Sequence, residues 1–450
     1  MIKYELEPND ENLKMTIESD FLKRNSKLMT FAKILSSVSD NLTISIDGRW
    51  GSGKTFFVKQ FKYLVEHIDD YGDERILKEC DKENFRKLKE NNLIVYYNSW
   101  QNDMHLNPLE SLMYNILNEY PKLNDQILNF EKFKKMFMKF FKDFLLYKSN
   151  GLLDIDNFDE LKTYSDLSNN IKTIEEKKEA FNNLVDTLLD EKQRLIIIVD
   201  ELDRCKPTFA VELLETIKHF YYNDKISIII STNNQQLSNT IKKYYGNDFD
   251  GYGYLDKFYD FIITLETEDT KNYLMKQLNF CSKTWIYHDI SYLIMDYYSF
   301  SLRECNKFVA YYKILKSYIE NKNTFNKDKQ YINSCIFIPL AMALKIKNID
   351  EYNLFISKKG DKIISDFLDI KVVKTKYESW LASMFNVENS SDFKKTIIDY
   401  YHSIFEPKDI YDIIPFFEII SLLGAKIDIN DINWLDFVNK MYNVKISYCL

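Results

Sequence analysis

Glycine is scarce in this chain, with ten among 450 residues, and proline (seven) and histidine (five) are scarcer still. The histidines, His67, His105, His219, His288 and His402, stand apart with no metal-ligand spacing and read as structural residues. Six cysteines (Cys80, Cys205, Cys281, Cys305, Cys335, Cys449) are scattered without a C-x-x-C pair, which argues against a zinc ribbon or redox couple and predicts free thiols in a reducing compartment. Long basic runs are absent and the net charge of −8 is diffuse, so nucleic acid is not the default partner. Lys132, Lys134, Lys135, Lys139 and Lys142 fall in an aromatic-rich stretch and read as the solvated side of a helix. No apolar run reaches the roughly 20 residues of a membrane-spanning helix. The most apolar segments, Ile336 to Leu344 and Phe416 to Leu423, read as core helices. The opening MIKYELEPNDENLK has no signal-peptide core, so the expected location is cytoplasmic.

Against that scarcity, three of the ten glycines fall within eight positions, Gly48-Arg49-Trp50-Gly51-Ser52-Gly53-Lys54-Thr55. This is G-x-x-x-x-G-K-[ST], a loop that turns its backbone N–H groups toward a phosphate chain and needs conformations a Cβ would forbid. Leu42 to Ile46 before it is rich in β-branched residues, as a buried strand should be; Phe56, Phe57, Gln60, Phe61 and Leu64 after it recur at helical spacing. A strand, loop and helix N-terminus therefore meet at an anion site. The candidate nucleotide contacts are Gly48, Trp50, Gly51, Ser52, Gly53, Lys54, Thr55 and Phe56, with Lys54 on the β and γ phosphates and the Thr55 hydroxyl on Mg2+. Trp50 and Trp100 both follow strands near that site, where a buried indole more often packs than recognises.

Further strands are expected at Leu93 to Tyr97, Leu195 to Val199 and Ile226 to Ile230, separated by helical patterns, which predicts an α/β fold with a parallel sheet. Residues 20 to 40 read as a helix, Asp69 to Glu90 as exposed helix and turn, and about 105 to 190 as a helical insertion. Beyond about Glu268 the pattern is helical to the end, with Asn321 to Gln330 and Lys347 to Tyr352 as surface connections. The expected division is a nucleotide domain at 1–275 and a helical lid and C-terminal domain at 276–450.

Hydrolysis needs more than a phosphate loop: it needs a hold on Mg2+ and an activated water. The apolar run Leu195 to Val199 ends on Asp200-Glu201. Asp200 is the candidate partner of the metal beside Thr55, and Glu201 the candidate base for the attacking water. Asn233, at the end of the next strand, is either a γ-phosphate sensor or a helix cap. Two arginines are candidates for transition-state charge. Arg204 is able to act in its own subunit, reach a neighbour's nucleotide or pair with Asp203, and Arg303 lies in the later helical region.

These residues resemble the KAP family of P-loop NTPases. The resemblance rests on G-R-W-G-S-G-K-T, on Y-N-S-W at Tyr97 to Trp100, and above all on V-D-E-L-D-R-C-K-P at Val199 to Pro207; Tyr254-Leu255-Asp256-Lys257 and the S-L-R-E-C-N-K-F around Arg303 are similar to later family segments. It implies a P-loop NTPase sheet with helices on both faces. Its order is of the ASCE type, in which one strand, here Ile226 to Ile230, separates the loop strand from the Asp-Glu strand. It also implies a Mg-ATPase related to STAND and AAA+ machines, with Asp200 on Mg2+, an acid at 201 and Arg303 in a lid-like segment. Two positions depart from the family: Glu201 stands where many members have Asp, and Asn233 replaces the usual Asp. Many members carry a pair of membrane helices between the nucleotide motifs; here that interval reads as a soluble helical insert, so membrane attachment is not carried over and no membrane span is expected. Bacterial members often lie in mobile or phage-exclusion loci, so antiviral defence is an expectation from the resemblance alone. The partners expected are ATP with Mg2+ and either further copies of the chain or a co-encoded effector protein. A nucleotide-gated scaffold with slow hydrolysis is the alternative, while translocation on nucleic acid and small-molecule phosphorylation fit the charge and the Asp-Glu pair less well.

Overall fold

The computed structural model describes residues 6–71, 79–104, 108–119, 181–265, 285–320, 332–384 and 390–405, apart from a few positions within them, together with Tyr273. They fall into two compact units, one within Glu7–Glu266 and the other from Thr267 onward.

The first unit is a five-stranded parallel sheet. Its strands are β1 (Thr43–Asp47), β2 (Asn92–Asn98), β3 (Arg194–Asp200), β4 (Ile226–Thr232) and β5 (Phe261–Thr264), in spatial order β2-β3-β4-β1-β5. As the resemblance implied, β4 separates the loop strand β1 from the Asp-Glu strand β3. The unbroken apolar run of β3 is explained by its two covered faces. Leu195, Ile197 and Val199 pack on one side and Ile196 and Ile198 on the other.

Helices α1 (Asp10–Ser19), α2 (Asn25–Ser37), α3 (Lys54–His67) and α4 (Glu79–Asn91) precede β2. On their face of the sheet, Leu28, Phe31 and Leu35 pack with Phe57, Phe61, Phe85 and Leu88. The Phe31 and Phe61 rings meet edge to face at 4.8 Å. The opposite face is covered by α5 (Pro108–Glu119), α6 (Pro207–Phe220) and α7 (Asn234–Tyr245), through residues such as Leu112, Ile116, Val211, Leu214, Leu237 and Ile241. Phe181, Val185, Leu188 and Leu189 join this core. A short α8 (Gly251–Asp256) precedes β5.

The amino end of the sheet is closed by tied polar groups. Arg194, 5 % exposed, donates to the carbonyls of Leu35, Val38 and Asp40 and to Asn92 Oδ1. Ser227 Oγ accepts from Leu42 N, and Asp260 Oδ2 from Thr43 N.

The described part of the second unit is helical: Trp285–Tyr297, Leu302–Glu320, Ile338–Lys347, Ile349–Ile356, Asp361–Leu368, Lys371–Met384 and Ser390–Ile404. Ile338 to Leu344 is buried throughout, as its apolarity suggested. Among the described residues no helix is long and apolar enough to cross a membrane.

Several expectations need correction. The helix expected over 20 to 40 is shorter, and α1 precedes it: Asp20 and Lys23 have positive φ, 41° and 51°, which breaks the helical run. The charged stretch up to Glu90 is not merely exposed, because Phe85 and Leu88 anchor α4 fully in the core. Lys347 to Tyr352 is not a loose connection. Asn348 accepts from the N–H groups of Asp350 and Glu351, so its side chain caps one helix directly after another ends. The lysines from 132 to 142, the segments 321–330 and 416–423, and most of the expected insertion lie outside the described residues.

Candidate functional site

The sheet register sets polar residues in a row at the carboxyl ends of the strands. Asn98 pairs with Asp200, Asp200 with Ser231, and Thr232 with Asp47. Apolar residues run up to these positions and polar ones take over where the chain leaves the core. Ligands of open α/β sheets bind at this edge.

The phosphate loop leaves β1 here. Gly51 and Gly53 adopt φ of 80° and 86°, in the region that favours glycine. Gly48 is held by packing instead: a Cβ there would lie 2.7 Å from Ser52 Oγ and 3.0 Å from the Leu265 carbonyl. The first helical bond of α3 runs from Phe57 N to the Gly53 carbonyl. The N–H groups of Gly53, Lys54, Thr55 and Phe56 have no acceptor among the described residues. Four unpaired donors at a helix N-terminus suit an anion. The Ser52 hydroxyl is buried and likewise without a partner among the described residues.

Lys54 is buried, and its ammonium donates to the carbonyls of Gly48 at 2.7 Å and Arg49 at 3.3 Å. Burial lowers its pKa below the usual lysine value, and the charges of Asp203, Asp200 and Asp47 oppose that shift. Loop carbonyls are weak partners for an ammonium compared with phosphate oxygens, so Lys54 is poised to exchange them.

Asp200 is 1 % exposed; its Oδ2 accepts from the Tyr96 hydroxyl at 2.9 Å and its Oδ1 from Glu201 N at 3.0 Å. Burial, and then the Asp200 charge, raise the Tyr96 phenol far above the usual tyrosine value, so Tyr96 stays a proton donor to the carboxylate. No side-chain bond of the Thr55 hydroxyl is found among the described residues. A hydroxyl and a carboxylate at one edge of the sheet are oxygen donors of the kind that suit Mg2+.

Glu201 sits in the left-handed region at φ 61°, a strained conformation for a residue with a Cβ. Its carboxylate is held from two sides. Arg204 Nη1 lies 2.9 Å from Oε1, and Asn98 Nδ2 donates to Oε2 at 3.2 Å. Arg204 therefore pairs with Glu201 and not with Asp203, and its guanidinium rests 5.4 Å from the Trp100 ring. Asp203 instead accepts the indole N–H of Trp50. The two tryptophans are not buried packing residues: Trp50 is 48 % and Trp100 51 % exposed, and both stand at the rim.

Asn233 caps α7, its Oδ1 accepting from Gln236 N at 3.2 Å. The neighbouring Asn234 is tied to Ser45, Asp47 and Tyr259. Arg303 lies in the first turn of Leu302–Glu320, in the other unit. The structure thus brings together Lys54, Asp200, Glu201, Arg204 and Asn233 on one unit.

Two neighbours of the site escape sequence reasoning, Tyr96 and Arg24, and a third, Asn98 of the Y-N-S-W tract, carries no assigned role in sequence. Tyr96 and Asn98 belong to the strand adjacent to Asp200, and only the pairing register shows what they touch. Arg24 Nη2 donates to the Ser52 carbonyl at 2.6 Å from the far side of a long sequence separation.

A model of the KAP family P-loop domain matches residues 24–284 of the chain. Comparison with curated proteins finds no match.

Proposed function

The chain belongs to the KAP family of P-loop NTPases, and we propose that it hydrolyses ATP with Mg2+ and uses the cycle to drive a conformational or assembly switch. The observation that carries this reading is the convergence of the phosphate loop with Asp200 and Glu201 at one edge of the sheet.

The division of labour follows from the contacts. The loop N–H groups and Lys54 take the phosphate chain, and Thr55 with Asp200 holds the metal. When bound, Mg2+ supplies charge neutralisation of the phosphate oxygens. Glu201 accepts the proton of the attacking water, which requires its carboxylate to leave Arg204. Asn98 keeps one Glu201 oxygen oriented while the other is released. Arg204, once free of Glu201, carries a charge able to act on the nucleotide of its own subunit or of a neighbour. Asn233 touches the γ-phosphate side through the amide nitrogen that its capping role leaves free. Arg303 contributes from the helical region, and residues 276–450 serve as lid, sensor or partner site. Antiviral defence, with a second copy or a co-encoded effector as partner, is the setting the family suggests.

The test pairs turnover with mass. Steady-state phosphate release in Mg2+ and in excess chelator, together with light scattering with and without ATP, separates the readings. Metal-dependent turnover with an ATP-dependent change in mass or compactness supports the switch. A mass change without turnover favours the nucleotide-gated scaffold.

A further inference from the structure

Arg24 is buried at 2 % exposure in a protein where buried arginines need a reason. Its guanidinium reaches the phosphate loop, with Nη2 2.6 Å from the Ser52 carbonyl and Nη1 3.4 Å from the Gly53 carbonyl. The segment that delivers it is braced. Asp20 and Lys23 hold left-handed φ of 41° and 51°, Asn25 N donates to Asp20 Oδ1 at 3.0 Å, and Asn25 Nδ2 donates to the Ile17 carbonyl at 2.8 Å. Gln60 of α3 donates to Thr16 of α1 at 2.8 Å, tying the same helices together. Asp20 ends α1 as a left-handed cap, its N–H donating to the Thr16 carbonyl, and Lys23 holds a second left-handed conformation one residue before the buried side chain.

The consequence for the loop is geometric. A trans peptide places its C=O and the following N–H on opposite sides. Carbonyls of Ser52 and Gly53 that face Arg24 therefore send the N–H groups of Gly53 and Lys54 the other way. Both of those N–H groups lack an acceptor among the described residues. Lys54 holds the other end of the loop through the Gly48 and Arg49 carbonyls, and it has to leave them to reach a phosphate.

We infer that Arg24 is a positioning residue which fixes the orientation of the Gly53 and Lys54 N–H donors for a nucleotide polyphosphate, and keeps the loop in shape when Lys54 transfers to the ligand. This rests on the reading that the loop binds nucleotide. A planar fork addressing two carbonyls is specific to arginine; a lysine in its place keeps the charge but not the two-pronged hold. Arg24 sits outside the phosphate loop and gives no motif of its own.

The experiment titrates a fluorescent ATP analogue into wild type, Arg24→Lys and Arg24→Gln, and melts each protein without nucleotide. Preorganisation predicts that both variants bind the analogue roughly tenfold to a hundredfold more weakly. It also predicts that Arg24→Lys melts, without nucleotide, close to wild type and that kcat at saturating ATP falls less than kcat/KM. Added guanidinium ion is expected to recover part of the affinity in a third variant, Arg24→Gly. Arg24→Lys binding as tightly as wild type would overturn the inference, as would a loss of melting temperature with unchanged affinity. Wild type that fails to bind the analogue removes the nucleotide reading itself, which is a separate result.

Discussion

The two ends of the five-stranded sheet are built on opposite rules. At the amino end the polar groups are tied: Arg194 reaches three carbonyls and Asn92, Ser227 takes Leu42 N, and Asp260 takes Thr43 N. At the carboxyl end, the hydroxyls of Ser52, Ser99, Ser231 and Thr232 are buried without a partner among the described residues, and Glu201 is held at φ 61°. An unpaired buried hydroxyl costs roughly 1–3 kcal/mol. The same sheet therefore secures its core at one end and leaves buried hydroxyls unpartnered among the described residues at the other, the end where we propose that the nucleotide binds. Two buried arginines show the contrast in miniature. Arg194 closes the core, and Arg24 shapes a loop.

The contrast is sharpest at Lys54. Lys54→Ala is expected to weaken ATP binding by roughly a thousandfold, since a charged contact to phosphate is lost at the centre of the site. The protein without nucleotide should stay folded. Titration of a fluorescent analogue beside a circular-dichroism melt checks both halves.

Arg194→Met makes the opposite cut. It orphans the buried Leu35 carbonyl and the Asn92 amide oxygen and removes the bonds to the half-buried Val38 and Asp40 carbonyls, and it is expected to lower unfolding free energy by about 3 kcal/mol, measured by urea denaturation, while nucleotide affinity stays at the wild-type value. If Arg194→Met instead weakened nucleotide binding and left stability alone, the division between the two ends would fail.

Much of this arrangement was legible before any coordinates. The β1, β3 and β4 runs are strongly apolar, and the phosphate loop and Asp200-Glu201 stand at their ends, so the α/β class and the row of candidates follow from local pattern, while the place of β4 between β1 and β3 came from the family resemblance alone. What was hidden is long-range. The exposed, four-residue β5 carries too little signal in sequence. That Arg204 takes Glu201, Trp50 takes Asp203 and Tyr96 takes Asp200 depends on register and side-chain direction, which periodicity does not encode. The junction at Asn348 reads as a polar connection because a capping side chain looks the same in sequence as a loop residue.

Smaller effects sharpen the carboxyl end. Thr232→Val replaces a buried hydroxyl, unpartnered among the described residues, with a methyl group of similar shape. Stability without nucleotide should hold or rise by up to about 1 kcal/mol in urea denaturation. The pH dependence of Lys54 is the most delicate. Its folded pKa lies below the unfolded value of about 10.5. Between the two, the unfolded chain binds more protons, so stability rises with pH through that window. The cost of burying the ammonium is full below the folded pKa and fades toward 10.5. Urea denaturation of wild type and Lys54→Ala across alkaline pH should show that contribution shrinking in the wild type alone.

The central claim is that Glu201 activates the water once it leaves Arg204. A single-turnover experiment on wild type and Glu201→Gln, with MgATP bound and bound nucleotide analysed over time, tests it most directly. The account predicts that wild type converts ATP to ADP and phosphate while Glu201→Gln retains ATP, with a rate lower by roughly 10²–10⁴. Equal conversion by the two proteins would contradict it.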